Sequence, residues 1–336
     1  MLKPLVSIII PTYNSEHYID GLFESIKNVA NAELIIIDDG SKDQTIMTIR
    51  MKNDQLSTFE NVKLISNEHY GPSVSRNIGI QKAKGKYIVF VDSDDLVDSG
   101  ALNKICSLDL DHDIISFSNN QSMKILKSDD EKFSLISAIV KNSGIDAFTA
   151  GPWGKLYKRS FLLSNNLLFS PSLHKGEDLL FNVAAIQRAK SILLSSPSFY
   201  HVKLSPNSIT RGMDTKSLDN SRSFIGISSG VIDNIRITMP SIRTDKIDFL
   251  QIYSKNKSFN MDISYALRHN FAVSEILAYT RWFYEIFPKE NVKIMQSRGI
   301  FKKIELLIVL HEKVKLMRIY IFLVNSIRKF EKIKKR

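Results

Sequence analysis

The 336-residue chain has a single cysteine, Cys106, so an intramolecular disulfide is excluded and nothing in it depends on an oxidising compartment. It also lacks a long uncharged apolar run: the best late stretch, Ile319 to Ile327, has nine residues. A helix that crosses a bilayer needs about 20, so no such helix is expected. Fourteen glycines occur, yet none forms Gly-x-Gly-x-x-Gly after the first strand-like segment, and no Gly-x-x-x-x-Gly-Lys-Ser/Thr is found. That argues against dinucleotide-dependent oxidoreductases and P-loop enzymes. No two of the seven histidines have zinc-ligand spacing. Leu5 to Ile10 is too short for a signal peptide and has no cleavage site, which makes a cytoplasmic location the expectation.

What is present can build a sizeable core. With 43% hydrophobic and 24% charged residues, the length suits one large or two ordinary domains. The net charge of +11 is unevenly placed. Residues 1–240 hold 26 Lys+Arg and 26 Asp+Glu, whereas residues 241–336 hold 20 and 9. A neutral first part argues against a nucleic-acid groove there, so no nucleic-acid partner is expected.

The first hundred residues alternate between two periodicities. Val6–Pro11, Glu33–Asp38, Val62–Ser66 and Tyr87–Val91 are short apolar runs without alternation, as strands covered on both faces should be. Helical stretches lie between them at about 16–29, 43–56 and 72–84. This order predicts an α/β fold with a mostly parallel sheet and helices on both faces, whose ligands bind beyond the carboxyl ends of the strands. Further on, a strand at Ile114–Ser118, helices near 131–142 and 178–189, and short strands near 192–195 and 198–202 complete the domain. From about 215 the pattern is helical, with segments expected at 217–237, 259–287 and 301–332 and with Pro240 and Pro288 as breakers.

Unusual residues cluster just past the strands. The first ends in Pro11-Thr12-Tyr13-Asn14, where the aromatic could stack on a planar ligand or simply close a hydrophobic strand end. The second ends in Asp38-Asp39-Gly40-Ser41; one carboxylate could accept a hydrogen bond from a nucleobase or ribose. The fourth runs into Asp92-Ser93-Asp94-Asp95. Three carboxylates in four residues repel one another unless a cation or donors compensate, and hard oxygen ligands suit Mg²⁺ or Mn²⁺. The bland alternative is a solvated acidic turn. Ahead of that strand, Gly71-Pro72-Ser73 opens a helix presenting Arg76 and Asn77, and Arg76 could pair with a carboxylate or a diphosphate.

The ordered set Val6–Asn14, Ile36–Ser41, Ser75-Arg76-Asn77 and Phe90–Asp95 resembles the family-2 glycosyltransferases, which have the GT-A fold, a Rossmann-like mostly parallel sheet. Trp153–Arg159 is similar to a segment ahead of the acceptor region in bacterial members that build capsules, O-antigens or teichoic acid decorations. Gly176–Phe181 looks like the family's ED motif, and Tyr200–Thr210 like its diphosphate loop. The resemblance implies an inverting, metal-dependent transfer of a hexose or N-acetylhexosamine from a UDP-sugar to a hydroxyl of a surface polysaccharide or lipid-linked glycan. It assigns the metal (Mn²⁺ or Mg²⁺) to Asp94, with Asp92 near the ribose or the ion. Tyr13 would stack on uracil, Asp39 would accept its N3–H and Asn67 would contact its edge, within a nucleotide site that includes Pro11, Thr12 and Ser93. Arg76 would hold the sugar or the acidic cluster. Asp178 is the expected base and Glu177 would bind acceptor or sugar hydroxyls. An arginine-rich stretch frequent in relatives is replaced here by Tyr200-His201-Val202-Lys203, so Lys203, Ser208 and Arg211 are the substitutes for diphosphate contact. The competing reading is a catalytically silent sugar-nucleotide-binding module.

The domain division implied is 1–214 for catalysis and 215–336 for a basic helical region. If 301–336 is one helix, His311, Lys315, Arg318, Asn325, Lys329, Lys332 and Arg336 form a stripe, interrupted by Phe322, beside a broad apolar face. That face fits packing on the catalytic domain or a helical partner, a second copy included. It also fits an anionic membrane surface, which would place the protein peripherally at the inner face of the cell membrane, or an anionic polymer acceptor.

Overall fold

A computed structural model describes residues 4–52, 56, 59, 61–108, 110–119, 122–142, 148–203, 217–269, 271–286 and 316. Its first half is built on parallel strands: β1 (Val6–Thr12), β2 (Ala32–Asp38), β3 (Asn61–Ser66) and β4 (Tyr87–Phe90), with helices α1 (Ile19–Ile26), α2 (Thr45–Met51) and α3 (Pro72–Lys82) between them. Strand β1 pairs in parallel with both β2 and β4, so the chain winds outward in both directions from β1. Such a switch point opens a crevice at the carboxyl ends of the strands. Strands β1, β2 and β4 are buried nearly throughout, which explains why their sequences show no alternation.

The rest of this layer comprises β5 (Leu96–Val97), α4 (Ser99–Cys106), β6 (Ile114–Phe117), β7 (Lys124–Leu126), α5 (Asp129–Lys141), β8 (Lys155–Lys158), α6 (Arg159–Ser164), α7 (Glu177–Arg188), β9 (Ile192–Ser195) and β10 (Tyr200–His201). The main sheet has eight strands in the order β3-β2-β1-β4-β8-β6-β9-β7, with β8 and β7 reversed; β10 and β5 form a separate antiparallel pair. This is the expected α/β architecture, and β5, β7 and β8 are additions to it. All three are two to four residues long, and two carry lysines, so their composition does not announce a strand.

Local chemistry sets the helix ends. Helix α5 starts with a reciprocal Ser128/Glu131 capping box and stops at Asn142 in a left-handed conformation (φ 54°). Helix α2 starts later than expected because Asp43 turns back to accept from Thr45 N at 3.0 Å. Helix α3 lies so close to β1 that a Cβ on Gly79 would stand 2.9 Å from Ile9 Cδ1 and nearer still to its Cγ2. Only glycine permits that approach.

Two compact units emerge: Met1–Arg211 with Val231–Arg243, and Gly212–Gly230 with Thr244–Arg336. The expected boundary at 214/215 is therefore not a single cut. Val231–Arg243 returns to the first unit, where Gln187 Nε2 donates to Val231 O at 2.8 Å and α9 (Ile235–Thr238) packs on α7. The described second unit draws on α8 (Ser217–Asp233, to Gly230), α10 (Thr244–Arg268) and α11 (Val273–Ile286), around a core that includes Phe259, Ile263, Tyr279 and Phe283. The single helix expected at 259–287 is two helices. Phe271 N turns back to Ala266 O, and the Glu275 carboxylate accepts from Ala272 N at 3.0 Å to start the second. Among the described residues no helix is long and apolar enough to cross a membrane. The 301–332 segment, with its basic stripe, lies outside the described residues apart from Leu316.

Candidate active site

Three chain segments meet at the carboxyl edge of the sheet around one guanidinium. Arg76, on the second turn of α3, is 5% exposed. Its Nη2 lies 2.9 Å from Asp92 Oδ1, and its Nη1 lies 3.1 Å from Asp178 Oδ1 and 3.8 Å from Glu177 Oε1. Burial opposes its charge, but Asp178, Asp92 and Glu177 outweigh that and raise its pKa, so it stays protonated. Its Nε is buried without a partner among the described residues, and its guanidinium carbon stands 5.3 Å from the centre of the Phe169 ring. Asn77 fastens the same helix: its Nδ2 donates to Phe169 O and its Oδ1 accepts from Phe169 N, both at 2.8 Å.

Gly176, in a left-handed conformation (φ 81°), turns the chain so that Glu177 and Asp178 open α7, where the helix dipole favours negative charge. Asp178 keeps 28% of its side chain exposed, so a ligand can reach it. Burial raises its pKa to about 7, reinforced by the charges of Glu177 and Asp92 and opposed by Arg76 and Lys155. Its environment thus poises it near neutrality.

The acidic turn is held from behind. Tyr200 OH donates to Asp95 Oδ2 at 2.7 Å and accepts from Asp92 N at 3.1 Å, while Lys203 N donates to Asp95 Oδ1 at 2.7 Å. Burial raises Asp95 to about 6, against those hydrogen bonds. Ser93 Oγ lies 2.8 Å from Ser15 Oγ. Asp94 makes no ion pair among the described residues, and burial, then the Asp92 charge, raises its pKa.

A second cluster sits at the ends of β1 and β2. Tyr13 is 38% exposed and stacks on His69, with ring centres 4.2 Å apart. The Asp39 carboxylate already accepts from Asn67 Nδ2 (3.2 Å), Tyr70 N (2.9 Å) and Gly71 N (2.9 Å), and His69 Nδ1 is 3.2 Å away. A nucleobase N–H would join or displace these donors. Pro11 continues β1, and Thr12 is buried with its hydroxyl directed at Ile37 O, so at Thr12 the strand end offers mainly backbone.

The expected residues therefore gather into two groups: Arg76 with Asp92, Glu177 and Asp178, and Tyr13 with Asp39 and Asn67. Of Lys203 it is the main-chain N–H that engages the acidic turn, and Ser208 and Arg211 lie outside the described residues. His69, Lys155, Asn182 and the ring of Tyr200 were missed as site-building residues. Lys155 and Tyr200 fell within the resembling segments Trp153–Arg159 and Tyr200–Thr210, but nothing in their residue type marked either side chain as part of the site.

Residues 7–118 match the family model described as glycosyl transferase family 2. An uncharacterized glycosyltransferase of Haemophilus influenzae is 32% identical over 217 residues, covering 62% of this chain and 83% of that protein. The chain is a family-2 glycosyltransferase. The transferase is also 29% identical over 203 residues to the poly(ribitol-phosphate) beta-N-acetylglucosaminyltransferase TarS of Staphylococcus aureus, a match covering 58% of this chain but only 35% of that protein. The crystal structure of S. aureus TarS 1–349 in complex with UDP-GlcNAc superposes with a TM-score of 0.67 at 21% identity, covering 96% of this chain and 91% of the other, which establishes a shared fold.

Among the described residues no group of three or more His, Cys, Asp and Glu side chains could hold a metal ion unaided. The transferase does offer Asp94, half-buried beside Asp92 and without a cationic partner among the described residues. That donor set fits a hard divalent ion that takes most of its ligands from phosphate oxygens and water.

Proposed function

We propose that this glycosyltransferase moves a hexose or N-acetylhexosamine from a UDP-sugar to a hydroxyl of a surface polymer or lipid-linked glycan, with inversion, and that Asp178 is the base. The observation carrying this reading is the Arg76 bridge. One guanidinium joins a carboxylate raised to about 7 and still accessible to a carboxylate of the turn where the nucleotide diphosphate would lie. A base must sit near its operating pH and face the anomeric carbon from the side opposite the leaving group. Asp178 meets the first need through burial and like charges, and its bond to Arg76 keeps it oriented. TarS, bound to UDP-GlcNAc in its crystal structure, and a Bacillus spizizenii relative named poly(ribitol-phosphate) beta-glucosyltransferase support the donor and acceptor classes.

In this reading Tyr13 and the Asp39/Asn67 pair bind the base of the donor, and Asp92, Ser93 and the Lys203 segment surround its ribose and diphosphate. Asp94, with Asp92, would hold Mn²⁺ or Mg²⁺, which supplies charge neutralisation at the leaving diphosphate. Glu177 binds sugar or acceptor hydroxyls. Asp178 takes the acceptor proton as the acceptor oxygen bonds to the anomeric carbon and the bond from that carbon to the diphosphate oxygen breaks, releasing UDP.

The test is donor turnover by the full chain with a panel of UDP-sugars and a polyol-phosphate or lipid-linked acceptor. Asp178→Asn should lower kcat by about 100- to 10,000-fold while UDP affinity changes by less than about threefold. An Asp178→Asn enzyme with wild-type turnover would remove the base assignment. Absence of UDP release from every donor would favour the silent binding module.

A further inference from the structure

We propose that Lys155 is a positioning residue for the transfer: its buried side chain fastens the loop from Phe148 to Gly154 between the helix presenting Asp178 and the turn carrying Asp92 and Asp95. The proposal rests on the assignment of Asp178 as base.

Lys155 is 1% exposed at the start of β8. Its Nζ donates to Gly151 O at 2.7 Å, Thr149 Oγ1 at 3.1 Å and Trp153 O at 3.3 Å, and lies 4.4 Å from the centre of the Phe148 ring. Three acceptors match the three N–H groups of an ammonium, so the loop closes around the cation. On one side, Asn182 Nδ2 donates to Ala150 O at 2.7 Å and Gly151 O at 3.1 Å, while its Oδ1 accepts from Tyr157 OH at 2.7 Å. Asn182 is one turn along α7 from Asp178 and faces the loop from that helix. On the other side, the Trp153 ring stacks on Tyr200 with centres 5.4 Å apart and planes 10° from parallel. Tyr200 is the residue that holds Asp92 N and Asp95. One ammonium thus ties the backing of both carboxylate groups to a single loop.

An apolar side chain could fill the same volume, and burying an ammonium is costly, so packing alone does not account for it. Burial lowers its pKa to about 7, opposed by the nearby Asp178 charge. The charged and titratable groups that act on Asp178 or Lys155 here are Arg76 from α3, Asp92 from the turn after β4, Glu177 from α7 and Tyr157 from β8. Arg76 and, when protonated, Lys155 are the cations among them, so removing Lys155 takes away one of the two charges that hold the Asp178 pKa down.

The experiment compares Lys155→Met with wild type in the full chain, measuring kcat and donor KM from UDP release across pH, with thermal melting as the control. A positioning role predicts kcat down about tenfold, donor KM within about threefold, and the acid limb of the kcat profile moved upward by about half a pH unit. Lys155→Arg should return the limb toward wild type because it restores the charge. A folded Lys155→Met enzyme with wild-type kcat, or with an unmoved acid limb, overturns the proposal. If Lys155→Met does not melt cooperatively, Thr149→Val removes one of the three acceptors and should lower kcat at unchanged donor KM; wild-type kcat in that variant overturns it equally. Asp178→Asn assayed alongside separates the two assignments: activity there dismisses the base, whereas an inactive Asp178→Asn beside a wild-type Lys155→Met dismisses only the lysine.

Discussion

Replacing Arg76 with methionine keeps the length of the side chain and removes the charge shared by Asp92 and Asp178. The contact with Asp178 is 3.1 Å. At an effective dielectric of about 20, a full charge pair at that range is worth about 5 kcal/mol. Because 28% of the Asp178 side chain meets solvent and Arg76 divides its charge between partners, about 1.5–3 kcal/mol of it should act on this carboxylate. That corresponds to a further pKa rise of about 1–2 units. The sign is definite: losing a cation disfavours the ionised form, so the acid limb of kcat, expected at about 7 in the wild type, moves to higher pH. At neutral pH the variant should lose about 5- to 50-fold in kcat and recover much of it on going about two pH units higher. The assay is UDP release at saturating donor from mildly acidic to alkaline pH, with melting curves taken at each pH. Arg76→Lys, which retains one charge but cannot bridge two carboxylates, should fall between. A methionine variant that melts cooperatively and keeps the wild-type acid limb would refute the electrostatic reasoning.

Other consequences are open to simple measurement. Asp94→Ala should weaken Mn²⁺-dependent UDP binding by about tenfold or more in calorimetry while leaving metal-free binding nearly unchanged. Tyr200→Phe removes the donor to buried Asp95 and the acceptor for Asp92 N, so it should lower stability in urea by about 1–3 kcal/mol and reduce kcat as the acidic turn loosens. Gly79→Ala places a methyl against Ile9, which can yield only by shifting α3 away from β1; a stability loss of about 1–3 kcal/mol is expected in the same urea experiment.

Sequence legibility followed burial. Strands β1, β2 and β4 read clearly because both faces are covered, so each is centred on a run of Ile, Val, Leu or Phe, and the few polar residues in them, such as Ser7 and Glu33, are buried too. Strand β8 did not read at all, since Lys155 at its start carries a charge that ordinarily marks a surface. Here the charge is satisfied by two carbonyls and a hydroxyl of a loop that the linear sequence does not fold for the reader. The candidate carboxylates could be named one by one from their places after strands. Their union through Arg76 could not, because Asp178 lies 102 residues further along the chain and only the sheet topology closes that gap. In the second unit the helical pattern ran on through His269 to Ala272, where a local choice by Glu275, capping a backbone N–H, ends one helix and begins another.

The paired bonds between Asn77 and Phe169 bear on how this scaffold can vary among relatives. An amide that both donates to and accepts from the same residue imitates one rung of a β-ladder, and it locks α3 to a point in the chain just ahead of Gly176. The segment from Ser170 to Lys175 is thereby anchored at both ends, by the rung and by the start of α7. Insertions in the turn between α6 and Phe169 can be absorbed without moving the charges. A change of length between the rung and Gly176 would slide the carboxylates of α7 past the guanidinium of α3, so this span should tolerate substitution far better than gain or loss of a residue.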